Sequence, residues 1–324
     1  MLTRSRRVGV RGVIVVAVLA AGCGGQDDEG TPAISSSGPP GEGGTLVWAV
    51  ADSVVSADPL EAASRAEAIA TRQVNEPLTA RLSPPFDSER SVPGLVRSAR
   101  SSAGDTVWTF ELRTGVRFQD NSPFNAAAVR ANGVRWLTTA AGNAALPGLV
   151  AVDSPRPNEV RFALSSPDPG FKKRLASPRL GIVSPNALQP NTGEGAVLSD
   201  FSRTGTGPFE IRQRTSALTL LARNTDWWGT FANVDLGPAL DQIELRSDPS
   251  PGIRLAMLDA GEAQLADELG RVEAAQAEND PLLSVLSGPD GSFLGVERSV
   301  RGVTSARRIP ALAGAWLTGV NVAD

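Results

Sequence analysis

Trp108-Thr109-Phe110-Glu111-Leu112-Arg113-Thr114-Gly115-Val116-Arg117-Phe118-Gln119-Asp120-Asn121-Ser122-Pro123-Phe124-Asn125-Ala126 is the stretch on which the reading of the chain turns. Trp108, Phe110 and Leu112 alternate with Thr109 and Glu111, so one face of an extended segment is apolar and the other polar. That is the period of a half-buried strand over 106–112. Asp120-Asn121-Ser122-Pro123 is a cluster of turn formers. Asn125 follows as a cap whose side chain can accept from the first free N–H groups of a helix, predicted to run to about Leu137.

Working outward, Thr45–Val50 reads as a buried strand. The loop 51–60 carries Asp52, Asp58 and Pro59, and a helix is predicted over 64–76. Pro77 ends it, because proline disfavours α geometry in the residue before it. Downstream, strands are predicted at 148–153 and 159–164, either side of the turn-rich connector 154–158. A hairpin pairs 209–213 with 218–223, and a further strand lies at 240–245. A helix over 250–258 has Pro251 in its first turn, where its missing N–H costs nothing. Strands and helices mix throughout, so the fold class is α/β, or mixed α+β.

Composition removes several classes of chemistry. The 324 residues hold no histidine, no tyrosine and one cysteine. Imidazole acid–base chemistry, Ser-His-Asp triads and cysteine-based zinc sites are therefore excluded. The net charge is −4, and no basic cluster interleaves with aromatics, which argues against nucleic-acid binding. Lys172 and Lys173 are the only lysines, and neither follows Walker A spacing. No enzyme activity, metal or other cofactor is expected.

The first residues read as an address. Arg4, Arg6, Arg7 and Arg11 precede an apolar run from Gly12 to Gly22. As a helix that run would rise only about 16 Å, too short for a hydrocarbon core of about 30 Å. It suits a signal-peptide core. Leu19-Ala20-Ala21-Gly22-Cys23 resembles the lipobox of bacterial lipoproteins, although Ala20 stands where a larger aliphatic residue is usual. Lipidation of Cys23 is expected. Residues 24–44 are polar and rich in Gly, Ser and Pro, and cannot bury enough surface to offset the entropy of ordering.

The stretch from Trp108 to Ala126 resembles the signature of the family 5 extracellular solute-binding proteins, the peptide, dipeptide and nickel binders of ABC importers. That pattern has an aromatic strand, then Leu-Arg-x-Gly-Val-x-Phe-x-Asp-Gly-x-Pro-Phe, then a helix. Asn121 replaces the usual glycine and is the next-best residue for a positive-φ turn. Other stretches agree in order: Gly44–Val47 with Asp58-Pro59, Asn75-Glu76-Pro77-Leu78, Val92–Val96, Glu159–Leu164 with Phe171, Gly205-Thr206-Gly207-Pro208-Phe209, Arg223–Gly229 and Leu258–Ala266. Each taken alone reads as ordinary strand entry, turn or core.

The resemblance implies a periplasmic-binding-protein type II-like fold, of which this chain carries the first lobe only. The expected domains are a signal peptide (1–22), a lipidated cysteine and flexible tether (23–43), lobe I (44–290) and a stub of the second lobe (291–324). Phe293–Glu297 resembles the first strand of that second lobe. Val303–Leu312 resembles its helix, in which Pro310 would cost about 3 kcal/mol. The implied role is capture of an oligopeptide or related small solute at the outer face of the cell membrane. Delivery would be to an ABC permease and its ATPase subunit. In peptide-binding relatives an acidic residue just after the Asp-Pro loop meets the peptide amino group. Ala63 stands near that position here, so Asp52, Asp58 and Glu61 are the candidate ligand contacts. With one lobe, weak solute binding is expected. The alternative is a truncated paralogue that keeps the lobe-I fold as an adaptor, sensor or remnant with no transport role.

Overall fold

The structure, a computed structural model, describes residues 43–81, 91–188, 201–229, 240–287 and 294–298. The expectations for the signal peptide, Cys23, the tether before residue 43 and the helix at Val303–Leu312 lie outside the described residues. The chain runs β1 (Thr45–Val50), α1 (Arg65–Val74), β2 (Thr79–Arg81), β3 (Ser91–Pro93), β4 (Val96–Ser102) and β5 (Val107–Leu112). It continues through α2 (Ala126–Thr138), α3 (Ala140–Ala145), β6 (Leu149–Arg156), β7 (Glu159–Leu164) and α4 (Phe171–Arg174). Then follow β8 (Phe209–Arg214), β9 (Leu218–Arg223), β10 (Gln242–Ser247), α5 (Pro251–Asp259), β11 (Leu265–Asp267), α6 (Arg271–Glu278), β12 (Leu283–Ser287) and β13 (Leu294–Arg298).

The strand that carries Trp108, Phe110 and Leu112 lies in a four-stranded antiparallel sheet, ordered β4-β5-β7-β6. Trp108 pairs with Phe162 and Phe110 with Val160. The apolar faces of both strands thus coincide and are buried. Phe110 meets Phe162 edge-on at 5.6 Å, and Phe171 closes the cluster 5.4 Å from Phe162. Helix α2 lays Trp136 on the same core. Its cap is as predicted: the Asn125 side chain accepts from Ala128 N–H at 3.0 Å. Asn121 adopts φ 68°, the positive value that its place in the turn requires.

The second sheet has seven strands in the order β12-β13-β11-β1-β10-β9-β8. β1 lies inside it and pairs in parallel with β10 on one side and β11 on the other. Both faces of β1 are covered. Leu46, Trp48 and Val50 pack with Ile69 and Val74 of α1, while Val47 and Ala49 pack with Leu255 and Leu258 of α5. A strand buried on both faces reads as a continuous apolar run, which is what Thr45–Val50 is. Ser64 and Glu67 form a reciprocal capping box that starts α1.

Three expectations shift. The strand placed at 240–245 begins at Gln242, because Asp241 instead accepts from Gly44 N–H at 2.9 Å and fixes the entry to β1. The connector 154–158 is shorter than predicted, since β6 extends to Arg156. Residues 294–298, expected in the second-lobe stub, pair antiparallel with β11 inside the large sheet. That sheet therefore crosses the expected boundary between residues 290 and 291.

Candidate functional site

Strands β1, β10 and β11 point the same way, so their carboxyl ends lie on one edge of the large sheet. In open α/β sheets this edge is where loops diverge and solutes bind. The loops that follow these strands are stitched together there. Ser247 Oγ donates to the Asp52 carbonyl at 2.9 Å, and Asp248 N–H donates to the Val50 carbonyl at 2.9 Å. The buried Arg254 of α5 donates to the carbonyls of Asp248, Asp267 (3.1 Å) and Glu268 (2.8 Å). Glu268 turns the chain at φ 51°.

Asp267 ends β11 with its side chain fully buried. One carboxylate oxygen takes Arg65 Nε at 2.7 Å, and the other, Oδ1, has no hydrogen-bond partner among the described residues. Burial pushes this carboxyl up to about 6, against the pull of Arg65. Arg65 and Asp267 were not among the residues singled out from sequence, and nothing in their local pattern marks them; only the topology brings them together.

The acidic candidates separate. Asp52 and Glu61 are exposed on the loop between β1 and α1. Asp58 is buried and committed to the fold. Its side chain accepts from Leu60 N–H at 3.0 Å and forms a two-pronged pair with Arg135 of α2, whose Nη1 lies 2.9 Å away. The Arg135 guanidinium sits 5.6 Å from the Phe201 ring centroid. Both oxygens of this buried carboxylate are engaged, so the loop anchors through Asp58 and leaves Asp52 and Glu61 exposed. Ala63 is exposed, with its N–H held by Glu67 at 2.8 Å. Among the described residues, no group of three or more potential ligands is placed to hold a metal ion.

The remaining sequence motifs converge elsewhere, on the buried Glu76. Its Oε2 accepts from Thr206 Oγ1 and Trp228 Nε1, each at 2.7 Å, and its Oε1 accepts from Trp227 Nε1 at 3.4 Å. Arg113, from the end of β5, lies over the Trp228 ring at 5.0 Å. Gly205 and Gly207 let their loop press on the end of α1. A Cβ on Gly205 would stand 1.7 Å from the Val74 carbonyl oxygen. Gln119 ties the same loop to the opening stretch, donating to the carbonyls of Gly207 and Phe209. Each of these motifs read alone as ordinary; together they join the two sheets.

This architecture defines a class before it defines a family: a mixed α/β lobe with its strand ends gathered at one edge, as in periplasmic binding proteins. The fold matches the peptide-bound binding protein DppA from Helicobacter pylori with a TM-score of 0.63 at 24% identity, over 76% of this chain and 50% of that one. It also matches NikA from Brucella suis in complex with Fe(III)-EDTA, with a TM-score of 0.64 at 22% identity, over 75% and 48%. Residues 90–299 match the model of the bacterial extracellular solute-binding proteins, family 5 Middle, and the chain belongs to that family. It is 27% identical over 213 residues to the glutathione-binding protein GsiB of Escherichia coli strain K12, covering 63% of this chain. The chain spans 39% of the length of that relative. The proteins it is similar to bind solutes; they are not enzymes.

Proposed function

We propose that this chain is the extracytoplasmic solute-recognition component of a peptide-type ABC importer, anchored by a lipid on Cys23. It presents the carboxyl edge of β1, β10 and β11 to a peptide or a related small solute such as a glutathione-like thiol peptide. Delivery is to a membrane permease driven by its ATPase subunit. The observation that carries this reading is the junction of family membership with a strand-end edge whose β1–α1 loop exposes Asp52 and Glu61. An exposed carboxylate there suits the amino group of a peptide.

The test is uptake by whole cells. Deleting the gene should lower import of labelled tetrapeptide or glutathione severalfold, and the wild-type gene should restore it. Cys23→Ser should leave the protein unlabelled by a fatty-acid analogue, release it into the medium and fail to restore uptake. Asp52→Asn combined with Glu61→Gln should stay anchored yet import poorly. Unchanged uptake of both solutes in the deletion strain would refute the transport role.

A further inference from the structure

We infer that Glu76 is a proton-operated latch: its carboxylate holds Trp227, and taking up a proton on Oε1 releases that indole while Thr206 and Trp228 stay bound. The argument is geometric. The three hydrogen-bonding groups around the carboxyl all donate to it. An indole N–H can only donate, so it accepts nothing in return. A proton on Oε2 would collide with two donors at 2.7 Å. A proton on Oε1 meets one donor, Trp227 Nε1, at 3.4 Å, and that longer bond is the one a proton can displace. The two protonation states therefore differ at one contact.

That contact sits in the turn after β9, against a second indole. Trp227 packs 5.9 Å from Trp228 at an interplanar angle of 53°. Gly229 lies flat on the Trp227 ring, where a Cβ would come within 2.1 Å of it. Releasing Trp227 thus frees its indole N–H, while its backbone N–H stays on the Asn224 carbonyl at 3.3 Å. Among the described residues the charged group facing Glu76 is Arg113, which favours the closed, ionised latch; Ile182, from the chain after α4, donates its N–H to the Glu76 carbonyl. Burial raises the Glu76 carboxyl to about 7, against those donors and Arg113, so the latch would work near neutrality.

The test follows the indole N–H signals of Trp227 and Trp228 by nitrogen-15 NMR of the full chain between pH 5 and 9, assigned with Trp227→Phe and Trp228→Phe. The Trp227 proton should move upfield on acidification with a midpoint of about 7, and the Trp228 proton should move less. Glu76→Gln places an amide donor against Trp227 and should hold its signal at the acid position at every pH. Arg113→Gln leaves the three hydrogen bonds in place and should raise the midpoint. A Trp227 signal that ignores pH, one that titrates unchanged in Glu76→Gln, or a midpoint unmoved by Arg113→Gln would each overturn the latch.

Discussion

The two sheets are built in opposite ways. In the four-stranded sheet, β4, β5, β6 and β7 all fall between residues 96 and 164, and every pairing joins strands from this short stretch. In the seven-stranded sheet, Thr45 pairs with Gln242 and Trp48 with Leu265. The first is a local assembly around an aromatic cluster. The second is closed by contacts across most of the chain. Glu76, Thr206 and the Trp227–Trp228 pair sit where the two meet. The local sheet packs around aromatic rings, and the long-range sheet gathers the ends of β1, β10 and β11 at one edge.

The strongest challenge to that division is Phe110→Ala. The side chain is fully buried and touches Trp108, Phe162 and Phe171. Its loss should cost about 3–5 kcal/mol, read from the urea midpoint. Hydrogen exchange should show protection falling first in β5 and β7, with β1 and β10 spared. If all four strands lose protection together, the sheets form one cooperative unit and the distinction fails.

A comparable effect should come from pH, and it tests the long-range part. Glu76 and Asp267 have ordinary values of 4.5 and 3.8 when unfolded and about 7 and about 6 when folded. Between these limits the folded chain holds protons that the unfolded chain has released, so stability falls as pH rises. The contribution is fully present below the unfolded values and is lost as pH climbs through about 6 and about 7. Each group accounts for on the order of 3 kcal/mol. Urea midpoints should be higher at pH 5 than at pH 8, and Glu76→Gln should flatten part of that slope. A midpoint that rises with pH would mean that neither buried acid behaves as its surroundings dictate.

The smallest effect should come from the open face of the local sheet. Arg161 and Asp153 face each other across β7 and β6 at 3.0 Å, both half exposed. Arg161→Ala should cost no more than about 1 kcal/mol. A larger loss would show that this charged face is held by more than packing beneath it.

What was legible in the sequence follows the same division. Trp108, Phe110 and Leu112 announced their strand because one face is buried and the other is not, and Asn125 announced its helix through a local cap. β1 was legible as a continuous apolar run. β4 was not, because after Val96 it reads Arg-Ser-Ala-Arg-Ser-Ser with little of it buried, and it becomes a strand only by pairing with β5. Of the candidate contacts Asp52, Asp58 and Glu61, the family resemblance marked the loop, but sequence could not show that Asp58 would be taken by Arg135, 77 positions away. The pairing of Arg65 with Asp267 spans 202 positions and leaves no local trace.

The placement of β1 also sets an order of events during synthesis. It is made early, yet both of its partner strands come late in the chain. At about 5–20 residues per second, β1 waits roughly 10–40 s for β11 to appear. During that interval the local sheet can complete itself, while β1 remains an apolar segment with two unsatisfied edges. Such a segment is a template for aggregation. The parallel pairing of β1 on its second edge therefore cannot form until β11, ending at Asp267, has been made.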